Sequence, residues 1–141
     1  MDEKFLQAIQ EIVQKDNRYH ADAYDFVNKA VSYTVRKMSR TDRPRGSRHV
    51  TGQELVNGIM EHAVEQYSFL APEIFLFWGV TSGPDIGNIV YNMIAVELLS
   101  ASPEDSKSDF DCMEDLIGEL RKKVEPRPED ISVEPPPILD R

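Results

Sequence analysis

Apolar residues recur along this chain at helical spacing, and strand-like alternation is scarce. Residues 3–15 place Phe5, Ile9, Ile12 and Val13 on one stripe with Gln, Glu and Lys between them, which predicts an amphipathic helix. A second helix is predicted over 23–39, with Asp22 as its N-cap. Tyr24, Val27, Val31, Val35 and Met38 form one of its faces and Phe26, Ala30 and Tyr33 another, so it belongs at the centre of the fold. Arg36, Lys37 and Arg40 at its end suit the negative pole of the helix dipole.

Asp42, Pro44, Gly46 and Ser47 mark 41–50 as a loop. Thr51-Gly52-Gln53-Glu54 then has the form of a capping box and opens a helix to about Tyr67, with Leu55, Ile59, Met60, Ala63 and Val64 inward. Pro72 suits the first turn of a short helix, APEIFLFW, and Gly79 is placed to end it in a left-handed conformation. Thr81 or Ser82 caps a further helix, with Pro84 in its first turn and Asp85 near its positive end. Ile86, Ile89, Val90, Met93, Ile94 and Leu98 supply its apolar face.

A polar turn, SASPEDSKSD, follows. Phe110, Met113, Leu116, Ile117 and Leu120 predict a last helix over 110–124, although LLS and DFDC also fit a small β-hairpin within 98–112. Beyond Glu125, Pro126, Pro128, Pro135, Pro136 and Pro137 exclude a helix and predict an extended, partly polyproline-like tail. The expected architecture is mainly α: a single domain over 1–124 with five or six helices, then a proline-rich tail over 125–141. A winged-helix-like arrangement is compatible with it. Residues 52–67, 71–78 and 84–97 would be the three helices, Trp78 to Ser82 the turn, and the 98–112 hairpin the wing.

Composition narrows the function. The chain has 141 residues, 40% of them hydrophobic and 29% charged, as in soluble globular domains. The net charge of -9 argues against a general nucleic-acid binder. A lone cysteine, Cys112, rules out an internal disulfide and suits a reducing compartment. A polar N-terminus and short apolar runs predict neither a signal peptide nor a membrane span, so a cytoplasmic protein with no membrane partner is expected. Charge is also segregated. Residues 1–48 hold ten Lys and Arg, residues 49–106 hold none, and Arg40, Arg43, Arg45 and Arg48 stand together just before that cation-free stretch.

YDFV at 24–27, HVTGQEL at 49–55, FWGV at 77–80, DIGNIVYN at 85–92 and DS...DF at 105–110 resemble, in order and spacing, the Minf-type family of uncharacterised bacterial proteins. The similarity runs from about residue 20 to 115. It implies a compact single domain in a bacterial cytoplasm. It implies no activity, so no catalytic residue carries over, and the proline-rich tail looks like an addition to the family pattern.

The candidate sites follow from residue chemistry. Four arginines beside a helix N-terminus could clamp a phosphate or carboxylate, but a closed Thr51–Glu54 box would occupy the free N–H groups there. DNA binding by a winged helix needs cations on the reading helix, and Asp85 stands there instead. His49, Glu54, Glu61, His62 and Glu65 make a polar set, but metal-ligand spacing is lacking, and His62 reads better as a hydrogen-bonded boundary residue. Cys112 reads as a small buried hydrophobe. Phe69, Phe75, Phe77 and Trp78 are too dense for every ring to face one core, so an exposed member would mark a partner surface, with the tail as a candidate occupant.

The leading expectation is a non-enzymatic protein-interaction module that binds a protein partner or itself through Arg40, Arg43, Arg45, Arg48, His49, Phe77 and Trp78. No cofactor, metal or catalytic residue is assigned. The alternative is an anionic small molecule or nucleic acid held by the Arg40–Arg48 loop. A weaker alternative is an enzyme with a site at His49, Glu54 and His62.

Overall fold

Helix boundaries in the computed structural model, which describes residues 3–38, 50–100 and 106–124, follow the capping chemistry of the chain. Six α-helices are present among these residues: α1 (Glu3–Lys15), α2 (Ala21–Lys37), α3 (Gly52–Tyr67), α4 (Ala71–Trp78), α5 (Gly83–Ala95) and α6 (Leu116–Val124). Short 3-10 turns at Ser68–Leu70 and Lys107–Phe110 complete the set.

The Thr51 hydroxyl accepts the Glu54 N–H at 3.1 Å, and the Glu54 carboxylate accepts the Thr51 N–H at 2.8 Å, so the capping box that opens α3 is closed. Ser82 caps α5. Gly79 ends α4 at φ 83, a backbone angle a side chain would strain. The start of α2 differs from the sequence expectation. His20, not Asp22, is its N-cap, with the imidazole Nδ1 accepting the Asp22 N–H at 3.0 Å, and Asp22 becomes a first-turn acid.

The expected winged-helix arrangement and 98–112 hairpin are not found: the described residues contain no strand. Ser106 and Asp109 form a second capping box around Lys107–Phe110, so the chain turns in 3-10 form where a wing would stand. After Gly79 the neighbouring helices also part company. α4 packs chiefly on α6, while α5 packs on α2 and on the Lys107–Phe110 turn. The last helix likewise begins at Leu116 rather than at 110. Phe110 belongs to the 3-10 turn, where it is buried with its ring edge-on to Tyr91.

α2 and α3 share the largest interface and touch most of the other elements, as the two apolar faces of α2 require. Tyr24, Ile59, Phe75, Ile86, Ile89, Met93, Leu116 and Leu120 lie fully buried between the helices. Close approach of α2 and α3 depends on Gly58. A Cβ there would stand 1.9 Å from the Thr34 hydroxyl, which is buried and bonded to the Ala30 carbonyl. Gly58→Ala should therefore destabilise the fold by about 1–3 kcal/mol of overpacking, less the ~1 kcal/mol that alanine returns in helix propensity. A double-mutant cycle in urea checks this: in a Thr34→Ala background the cost should fall by at least half, and an unchanged cost would refute the contact.

Candidate functional site

Apart from Glu73, α4 is apolar all round, the pattern of a helix enclosed by others. Its inner face obeys that rule: Ala71, Phe75 and Trp78, at helical spacing, are at most 6% exposed. Phe75 and Trp78 join Phe26 and Tyr67 in a cluster with ring centroids 5.4–6.0 Å apart. The outer face does not. Phe69 and Phe77 are 71% and 73% exposed, and Leu70 and Leu76 are 51% and 43% exposed. Glu73 sits among them and bonds Arg121 of α6 at 3.0 Å, while the Phe77 ring leans on His20 at 5.2 Å. Leu76 and Phe77 belong to α4 and Phe69 and Leu70 to the 3-10 turn before it, so one short stretch, held in the core by Ala71, Phe75 and Trp78, offers four large apolar side chains to solvent. Scattered exposed hydrophobes are ordinary, but four on one short segment form a patch of the kind that marks a contact surface.

A separate polar cluster explains part of the DIGNIVYN stretch. Asp85, Asn88 and Asn92 form one stripe on α5, and all three face the segment that joins α1 to α2. The Tyr19 hydroxyl donates to Asp85 at 2.6 Å and accepts from Asn88 at 2.8 Å. Asn92 donates to Asp16 at 3.0 Å and to the Tyr24 hydroxyl at 3.1 Å. Asp85 also takes the Thr81 N–H at 3.0 Å, and the Thr81 and Ser82 hydroxyls. Burial works to raise the Asp85 carboxyl, but the hydrogen bonds from Tyr19, Thr81 and Ser82 prevail and hold it below its usual value. Burial, with the bond to Asp85, pushes the Tyr19 phenol up to about 12. The Arg18 guanidinium holds Asp16 well below the carboxylate range. This clasp joins distant parts of the chain.

Of the sequence candidates, Arg40, Arg43, Arg45, Arg48 and His49 lie outside the described residues, as does the 125–141 tail. Phe77 stands on the exposed face and Trp78 turns inward. Glu54 is engaged in the α3 cap, and Glu61 pairs with Lys37 at 2.6 Å. His62 is a boundary residue as expected, but the expected hydrogen bond is missing: its Nδ1 is buried with no partner among the described residues. The ring instead packs on Phe26 and Tyr33, with centroids 5.1 and 4.7 Å away, and burial lowers its pKa. Cys112 is exposed, contrary to expectation, because residues 111–115 are not helical and the helical spacing that would bury it does not apply. Among the described residues, no group of three or more His, Cys, Asp or Glu converges as a metal site would need, and no helix is long and apolar enough to cross a membrane.

Sequence reasoning missed a crevice of about 200 Å³ where α2, α3 and α4 meet, lined in part by Asp22, Asp25, Lys29, His62 and Trp78. Its only sequence signal was the polar stripe Asp22, Asp25 and Lys29 beside Phe26 on α2.

Comparison with protein-family models, with curated proteins and with solved structures found no match.

Proposed function

We propose that this protein is a non-enzymatic interaction module whose contact surface is the outer face of α4, and that the first occupant of that face is a second copy of the chain. The observation behind this reading is the exposure of Leu76 and Phe77 on α4, and of Phe69 and Leu70 on the 3-10 turn before it, while Ala71, Phe75 and Trp78 of α4 lie in the core. Covering such rings removes apolar area from water at about 25 cal/mol per Å², and buried aromatic anchors dominate most interfaces. Charge favours self-association. Each copy carries the Arg40–Arg48 run and, in residues 49–106, an acidic stretch without cations that includes α4. Opposite charge on these two stretches of sequence supports pairing between copies. A Minf-type, cytoplasmic identity fits this reading and adds no activity to it.

Light scattering across concentration and salt tests the proposal. The wild type should have the mass of a dimer, and a Phe69→Ser, Phe77→Ser variant that of a monomer, with unchanged helical circular dichroism because both rings lie outside the core. A wild type that stays monomeric, or a variant that dimerises equally well, would overturn it.

A further inference from the structure

His62 of α3 packs on two rings of α2, Phe26 at 5.1 Å and Tyr33 at 4.7 Å, in the largest interface of the fold. Among the described residues its Nδ1 is the one buried side-chain nitrogen or oxygen without a hydrogen-bond partner. Buried polar groups are seldom left so. A bare lone pair is tolerated there more readily than a stranded N–H, so the neutral ring keeps its proton on Nε2. A second proton has to enter at Nδ1, where neither water nor an acceptor meets it.

The charged groups around the ring do not remove that cost. Burial opposes the imidazolium most, Lys29 and Arg36 of α2 oppose it too, and Glu65 of α3 alone favours it, so the His62 pKa is lowered. Glu61 is engaged with Lys37, Asp25 with Lys29, and Glu73 of α4 with Arg121 of α6. Asp22 stands with Asp25 on the far side of the crevice that His62 also lines, and Lys123 of α6 lies beside Glu65 and Tyr33. None of these bonds Nδ1. The Tyr33 and Tyr67 phenols are raised by burial and stay neutral where histidine titrates. Phe26 carries any movement of the ring onward. It is 5% exposed and also touches Phe75 and Trp78 of α4, at 5.7 and 5.4 Å.

We infer that His62 is an acid-sensitive joint of the fold: proton uptake at Nδ1 drives the ring off Phe26 and Tyr33, and so loosens both the α2–α3 interface and the aromatic cluster that seats α4. This inference goes beyond the α4 contact surface and does not depend on it. Its sign follows from linkage. The unfolded chain, with the ordinary histidine value of 6.5, takes the proton before the folded one does. Stability is therefore whole above 6.5 and is lost as pH falls below it, until the folded ring is itself protonated. This fall sits above the carboxylate limb, because Asp16 and Asp85 stay ionised there.

The intact wild-type chain is titrated between about pH 5 and 8. The His62 Hε1 resonance, assigned through the wild-type backbone, should titrate with a midpoint below 6.5. Trp78 is the one tryptophan in the chain, and its emission should change with the same midpoint as its aromatic cluster loosens. Urea midpoints should be level above 6.5 and fall below it. In His62→Gln, which carries no charge at any pH, at least half of that fall should disappear. His20 and His49 are present in both proteins, so the difference between the two belongs to His62. A His62 midpoint at 6.5 or above, Trp78 emission indifferent to that titration, or an equal fall in His62→Gln would each overturn the inference. The first two readings need no variant. Light-scattering mass in the same samples follows the α4 face separately, so either proposal can fail alone.

Discussion

Phe75→Ala is expected to destabilise the protein by about 3–5 kcal/mol, the range for emptying a buried aromatic site. Phe75 is 1% exposed and lies 5.7 and 5.4 Å from the Phe26 and Trp78 rings. Two of its neighbours are flat and anchored on different helices, so the space left by the ring cannot close by sliding one side chain. A chain of this size should melt about 10–20 °C lower for such a change. Differential scanning calorimetry reads it directly. A loss under 1 kcal/mol would mean that the aromatic cluster is loosely packed. Phe77→Ala, on the same helix but 73% exposed, is the internal contrast and should stay within about 0.5 kcal/mol of wild type in the monomer.

Asp85→Ala should cost about 2–4 kcal/mol, because it strands several donors at once. Tyr19 is 2% exposed and would keep a buried hydroxyl with only Asn88 left to bond, as donor to its oxygen. The Thr81 N–H and the Thr81 and Ser82 hydroxyls would lose their acceptor at the start of α5. The pH dependence carries the same signature. Asp85 and Asp16 have lowered carboxyl pKa values in the fold, so their contribution is whole above the unfolded value of 3.8 and is lost as pH falls through the folded values. Tyr19 is the opposite case. Its raised phenol pKa gives stability that is whole below 10.0 and fades as pH climbs toward about 12. Urea midpoints measured across pH should show a plateau with an acid limb and an alkaline limb. Asp85→Ala should lower the plateau and flatten both limbs. An equal drop at every pH would remove the linkage from the argument.

Local signals in the sequence were accurate where the cap and the apolar stripe agreed. Thr51 with Glu54, Ser82 with Pro84, and Pro72 with Gly79 each fixed a helix end by hydrogen bonding or backbone angle that needs no distant partner. The errors came where two local readings competed. Phe110, Met113, Ile117 and Leu120 keep helical spacing, yet Ser106 and Asp109 close a box of their own and break the run. That Ser-x-x-Asp is the same device as at Thr51, set inside a polar turn. His20 competed with Asp22 at the start of α2 and prevailed because its ring nitrogen reaches the free N–H. The exposed face of α4 was half legible: the crowding of aromatic residues said that some ring must face out, but only the packing of α4 against the other helices decided which. The crevice was not legible, since α2, α3 and α4 each supply part of its lining and only their packing brings those parts together.

α6 supplies Leu116 and Leu120, both fully buried, and closes the side of the core on which α4 rests. These residues are made after every other helix of the domain. A nascent chain therefore carries the aromatic cluster of α4 with one wall missing until residue 124 has cleared the ribosome. Until then α4 lacks the cover that α6 gives it.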